Sequence, residues 1–292
     1  MIEDTYRIGM PETAFSSLSE NWLLKTCGQR HWTLVERALG APAAAVRDGL
    51  GRRLYASFVA MKLSDARFAE VGEDADLRIR SSGCFLTPKR TYSVHEGWRG
   101  GRRVFRQELL AVFLKRQRDG ANGDLTSAAP AGLPTTPALS TSPDAERLVE
   151  LARAARAALP APTASSPGER SCVFTPTPFT EFNGAGLLYF ANFQAIVDRF
   201  EFEALGPNLG ASHGTRARQI CIFGNLDVGD TVHGRFHDVR VRPGEVVHRL
   251  ALHRGSDGRT IALASTVKHA VADLAAAAAA ARPAPPELEN VA

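Results

Sequence analysis

The sequence predicts an α+β chain built from two copies of one unit, a helix followed by an antiparallel strand meander. Three observations carry that reading. The same order of helix, strands and terminal hairpin occurs in each half, and a Val-Gly break precedes a strand in each. A stretch rich in Ala, Pro, Ser, Thr and Gly separates the halves. Repetition at half the chain length is the mark of a duplicated unit.

The first half opens with a helix over Ser19–Leu39. Trp22, Leu23, Leu24, Trp32, Leu34 and Val35 supply its apolar positions, and Gly28 is expected to interrupt it. Strands are expected at Leu54–Met61, Ala75–Ser81, Thr91–Val94 and Arg103–Leu114. The run Trp98-Arg99-Gly100-Gly101-Arg102 signals a hairpin between the last two.

From Asp119 to Ser171 the composition cannot bury enough apolar area to offset the entropy of ordering it. Within it, Asp144–Leu159 reads as a short helix behind Pro143, with Leu148, Leu151 and Ala155 at helical spacing. The second half repeats the plan of the first. A helix is expected over Ala185–Phe202, then strands at Thr215–Phe223, Thr231–Val241, Val246–Leu252 and Thr260–Val267. Arg254–Arg259 is the hairpin turn joining the last two. Val71-Gly72 in the first half and Val228-Gly229 in the second are the paired break.

A long helix wrapped by an antiparallel sheet is the hot-dog architecture, so the fold expected is a double hot-dog. Residues 1–118 form the first unit, 119–171 a flexible linker with its short helix, 172–272 the second unit, and 273–292 a disordered tail.

Composition narrows the function. There are 292 residues with a formal charge of +4 and no dense basic run interleaved with aromatics, which argues against nucleic acid. A mildly basic surface suits an anionic partner such as coenzyme A or an acyl carrier protein. The four cysteines are scattered, without a C-x-x-C pair or zinc-type spacing. No window reaches the ~18–20 apolar residues of a membrane span. The acidic start Met1-Ile2-Glu3-Asp4 is unlike a signal peptide, so a cytoplasmic location is expected. A homodimer is compatible with these features. G-x-S-x-G, P-loop and dinucleotide fingerprints are missing from the sequence.

In a hot-dog unit the free backbone amides at the helix start face the ligand and can hold a developing oxyanion. In the second half, Gly184 and Gly186 let a ligand approach the backbone. Asn183 either caps the helix or contacts substrate, and Glu181 acts on substrate or favours the helix dipole. In the first half the matching residues are Ser19, Glu20 and Asn21, with Ser19 or Asn21 expected to cap and Glu20 in the first turn, followed by His31 as an acid/base candidate or a core histidine. Tyr55 on the first strand is either core or a proton donor and nucleophile. A phenol titrates near ~10, so that second role needs help from its surroundings.

The segments Leu18–Lys25 through His31-Trp32, and Glu181-Phe182-Asn183-Gly184-Ala185-Gly186-Leu187-Leu188-Tyr189-Phe190, resemble the bifunctional acyltransferase/decarboxylase family of polyketide biosynthesis, of the leinamycin-pathway type. The resemblance covers both halves and leaves out the linker and tail. It implies a double hot-dog that decarboxylates methylmalonyl-CoA and passes the propionyl group to an acyl carrier protein, with no cofactor beyond the thioester itself. It also implies a functional tyrosine on an early strand, which Tyr55 matches by order and spacing. Thioesterase hot-dogs often carry Asp-x-x-Gly-His before the helix. Here Glu181 and Gly184 keep part of that spacing, but Ala185 stands in the histidine position. Two alternatives stay open. One is a thioesterase or dehydratase on carrier-bound acyl chains, the dehydratase pairing His31 with Glu181. The other is a non-catalytic protein that binds acyl-CoA or a carrier.

Overall fold

Alternating burial along most strands and a 3.6-residue stripe on two long helices dictate one layer of helix inside one layer of sheet. The computed structural model describes residues 1–15, 17–118, 122–159, 171–206 and 212–271. The expected tail, 273–292, lies outside them, as do 119–121 and 160–170 of the connecting stretch.

The first unit contains β1 (Ile2–Arg7), the small hairpin β2 (Thr13–Ala14) and β3 (Ser17–Leu18), and helix α1 (Glu20–Leu39). Strands β4 (Tyr55–Ser64), β5 (Asp76–Thr87), β6 (Arg90–Arg99) and β7 (Arg102–Arg116) follow. The connecting stretch is not a free linker over its described residues: it adds β8 (Leu125–Ser127), which pairs with β7, and α2 (Pro143–Ala157), whose Ala145 and Leu148 are buried. The second unit holds β9 (Ser171–Phe174), α3 (Pro178–Glu181) and α4 (Phe190–Leu205). Its meander is β10 (His213–Ile222), β11 (Val232–Arg242), β12 (Glu245–Arg254) and β13 (Thr260–Ala270).

The two meanders join edge to edge into one antiparallel sheet, ordered β1-β5-β6-β7-β4-β10-β13-β12-β11-β9, with β8 on β7. The join is β4 against β10, with Ala60 opposite Cys221 and Leu63 opposite Arg218. Both of these strands are ten residues long. Against its own unit, β4 is bulged between Phe58 and Ala60, and β10 between Thr215 and Ala217. Each of the two joining strands thus carries a bulge in its first half, and such irregularities are kept as features of a fold. The fold is a double hot-dog of α+β class.

Helix α1 starts where Ser19 accepts a hydrogen bond from the Trp22 amide at 3.2 Å, and it stops at Gly40, whose φ of 64° is left-handed. Leu23, Leu24, Cys27, His31, Val35 and Leu39 form its buried stripe. Gly28 does not interrupt it. The phenyl ring of Phe190 crosses here, and a Cβ on residue 28 would lie 2.6 Å from that ring. The glycine therefore permits the close approach of α1 and α4, at a helix-propensity cost of about 1 kcal/mol.

Helix α4 begins at Phe190, not at Ala185. Residues 183–187 are held in a turn by the Asn183 side chain, which competes with helix formation. On its inner face Phe190, Phe193, Ile196, Val197 and Phe200 enter the same core as Leu23, Leu24 and Cys27 of α1.

Helix α2 lies on the opposite face of the sheet. Its Ala145 and Leu148 are buried with Ala60, Tyr92, Leu110 and Cys221 from the central strands. The middle of the sheet is thus covered on both sides. Among the described residues, no helix is long and apolar enough to cross a membrane.

Candidate active site

Strand order brings together residues that are far apart in sequence. Tyr55 is the first residue of β4 and Arg116 the last of β7, and these strands run antiparallel, so the two side chains share one end of the sheet. The Arg116 guanidinium carbon lies 5.3 Å from the centre of the Tyr55 ring, and its Nη1 reaches the phenol oxygen at 3.5 Å, the limit of a hydrogen bond. The Arg53 guanidinium lies 5.1 Å from the same ring centre.

Arg116 is also anchored toward the second unit. Its Nε and Nη2 donate to Asn122 Oδ1 at 3.1 and 2.8 Å, and Nη2 donates to the Ala185 carbonyl. Asn122 is buried and fully used. Its side-chain amide donates to the carbonyls of Gly186 (2.6 Å) and Leu226 (3.0 Å), and its backbone N–H donates to Asp227 (2.8 Å). Buried amides have to be satisfied in this way, and here doing so ties three chain segments into one corner.

The turn entering α4 is equally determined. Asn183 Oδ1 accepts from the amides of Ala185 (3.0 Å) and Leu187 (3.1 Å). The Gly186 amide donates to the Asn183 carbonyl, and Gly186 takes φ +68°, which favours glycine. Gly184 is exposed with open space around it. Asn225 holds the far side, accepting from the Leu188 amide and donating to the Leu188 carbonyl. The N-cap of α4, Tyr189, makes no side-chain cap, and the first turn carries no acid. The positive end of this helix dipole is left without a side-chain counterpart of its own.

The other expected site residues are placed elsewhere. Asn183 is not an N-cap; it shapes the preceding turn. Glu181 accepts from the amide (2.6 Å) and hydroxyl (2.8 Å) of Thr177, closing α3 on itself. His31 is 1% exposed and belongs to a buried polar chain. Its Nδ1 meets Ser93 Oγ at 2.7 Å and its Nε2 meets Thr91 Oγ1 at 2.9 Å. The chain runs back from Ser93 through His95 and Ser81 to Arg30. Burial pulls the His31 imidazole down to about 3, so the ring stays neutral. A dehydratase pair of His31 with Glu181 is not assembled, since each is engaged by its own neighbours.

Glu20 and Asn21 belong to the seam between helices. Asn21 donates to the Ala191 carbonyl at 2.9 Å. Glu20 is buried against Arg218 at 2.9 Å, and Arg218 also meets Asp198 (2.6 Å) and Glu201 (3.1 Å). Burial pushes the Glu20 carboxyl up to about 7; Arg218 opposes this, while Asp198 and Glu201 reinforce it.

Arg116, Asn122, Arg53 and Asn225 were not singled out by the sequence. Arg116 sits in the basic run Lys115-Arg116-Gln117-Arg118, which reads as solvated strand end. Asn122 sits in the low-complexity connector. The Asn122-Gly123 pair, a few residues beyond the end of β7, is a local turn signal.

Solved structures share this architecture over nearly their whole lengths. A protein from Lactobacillus plantarum described as an oleoyl thioesterase superposes with a TM-score of 0.64 at 10% identity, covering 92% of this chain and 96% of that one. The 12:0-ACP thioesterase from Umbellularia californica gives 0.60 at 14% identity, covering 92% and 97%. An acyl-ACP thioesterase from Bacteroides thetaiotaomicron gives 0.55 at 9% identity, covering 91% and 97%. At such identities the likeness is one of fold. No protein-family model matches the chain, and no curated protein matches it in sequence.

Proposed function

We propose that the chain is an enzyme of acyl thioesters that moves an acyl group from coenzyme A to an acyl carrier protein through Tyr55. The observation that carries this reading is one corner of the molecule. The Tyr55 hydroxyl and the Arg116 guanidinium meet there beside the Asn183–Gly186 turn, which leads into the uncapped start of α4.

The chemistry follows from those groups. A thioester carbonyl at this corner would direct its oxygen at the first-turn amides of α4, which stabilise negative charge as it develops, because the amides from Ala185 to Tyr189 already donate within the protein. For a methylmalonyl thioester, the bond from Cα to the carboxylate breaks and its electron pair enters the thioester as an enolate. Carbon dioxide leaves, and the enolate carbon takes up a proton to give the propionyl thioester. Tyr55 oxygen then attacks the carbonyl, the C–S bond breaks, and the thiolate leaves with the phenol proton. The carrier thiol attacks the Tyr55 ester in turn, forming the new C–S bond and restoring the phenol. Arg116 supplies positive charge beside the phenol oxygen in both steps.

The likeness to thioesterases favours a second reading, in which water replaces the carrier thiol and free acid is released. The Ala185 side chain offers no base to activate that water, and Glu181 is held by Thr177. Mass spectrometry after incubation with methylmalonyl-CoA, with and without holo carrier protein, separates the readings. Propionyl on the carrier is the result expected. Free acid alone installs hydrolysis in its place, and binding without turnover of any thioester removes both.

A further inference from the structure

We infer that Arg53 and Arg116 form an anion subsite at the ring of Tyr55, which receives an anionic oxygen group of the thioester substrate: a carboxylate on the acyl moiety or a phosphate on the pantetheine arm. The inference rests on placing the thioester at Tyr55, and it adds the substrate class that the site selects.

Two guanidinium carbons lie within 5.3 Å of one ring centre. Among the described residues, neither guanidinium has a carboxylate partner. The nearby acids are engaged elsewhere. Asp48 is shared by Arg52 and Lys115 at 2.8 and 3.2 Å, Asp124 pairs with Arg118, and Asp227 accepts from the Asn122 amide. Arg116 binds only neutral oxygens, and its Nη1 has an N–H left over beyond the one facing Tyr55. Arg53 is exposed, and its guanidinium rests against the Tyr55 ring. Two like charges placed against one ring lie no more than about 10 Å apart and repel each other, and an anion close to both offsets that repulsion. Guanidinium forks are suited to carboxylate and phosphate by shape and by charge. Arg116 is fixed by the corner it helps to build, while Arg53 is free to swing onto an arriving group.

Calorimetric titration with unreactive thioether ligands tests this without turnover. The ligands are a carboxyalkyl-CoA, an alkyl-CoA of equal length, and the pantetheine counterparts of both without phosphate. The proteins are the full chain, Arg53→Gln and Arg53→Lys. Arg53→Gln is expected to weaken binding about 10- to 100-fold for one charged class. Loss confined to the two carboxyl-bearing ligands identifies the carboxylate; loss confined to the two phosphate-bearing ligands identifies the phosphate. Arg53→Lys should recover part of the loss. Equal affinities of Arg53→Gln and the unaltered chain for all four ligands overturn the subsite. Charge-selective binding by a chain that converts no thioester keeps the subsite and removes the enzymatic reading. Turnover without any charge selectivity does the opposite.

Discussion

The two long helices start in opposite ways, although they are copies of one element. At the start of α1, Ser19 caps the Trp22 amide, and Glu20 sits in a buried ion network with Arg218, Asp198 and Glu201. At the start of α4 there is no side-chain cap and no acid. A turn held by Asn183, Asn122 and Asn225 leads into Phe190 instead. The strand-opening residues differ as well, with Tyr55 beginning β4 and His213 beginning β10. Both units carry a bulged joining strand, and their side chains differ. One helix start is a structural joint, and the other has no side-chain cap and no acid in its first turn.

That contrast is broken most directly at Tyr55. Tyr55→Phe should reduce acyl transfer about 1,000-fold or more while the melting temperature stays within a few degrees. Mass spectrometry of the carrier measures it, and undiminished transfer would take Tyr55 out of the mechanism. The next largest effect belongs to the structural joint. Arg218→Ala leaves Glu20 and Glu201 buried without their guanidinium, and should destabilise the fold by about 3–5 kcal/mol in denaturant titrations. A loss below about 1 kcal/mol would show that water or Lys268 takes over.

The pH response of the joint is smaller and has a definite sign. The Glu20 carboxyl is raised from its ordinary 4.5 to about 7, so the folded chain holds a proton that the unfolded chain has released. The stability it contributes is complete below about pH 4.5 and declines as pH rises toward 7. Glu201 is held below the carboxylate range by Arg218 and Lys268 against the opposing effect of burial, so its contribution disappears instead on acidification. Glu20→Gln should flatten the decline between pH 5 and 7, and an unchanged slope would place the titrating group elsewhere. The smallest effect is at the cap. Ser19→Ala should lower stability by about 1 kcal/mol and leave acyl transfer unaltered, read by thermal melts beside the carrier assay.

Legibility in the sequence follows the range of each interaction. The Ser19 cap, the paired Val-Gly breaks and the glycine turn of β6–β7 are local chemistry, visible in a few adjacent residues. Gly28 was misread because its reason lies in Phe190, far along the chain. The α4 start was placed early because the Asn183 turn imitates a cap. His31 could be read as catalytic or as core, and only the burial of Ser93, Thr91 and Phe58 around it decides for core.

By itself the sequence determined the repeated order of helix and meander and the glycine-bearing entry to the second helix. Each is encoded in periodicity or in backbone freedom over a handful of residues. Tertiary structure alone decided that β4 would pair with β10, that Arg116 and Asn122 would meet the Ala185–Gly186 carbonyls, and that Glu20 would be buried. Those contacts join residues dozens of positions apart, and no local pattern records which distant partner a buried donor will find.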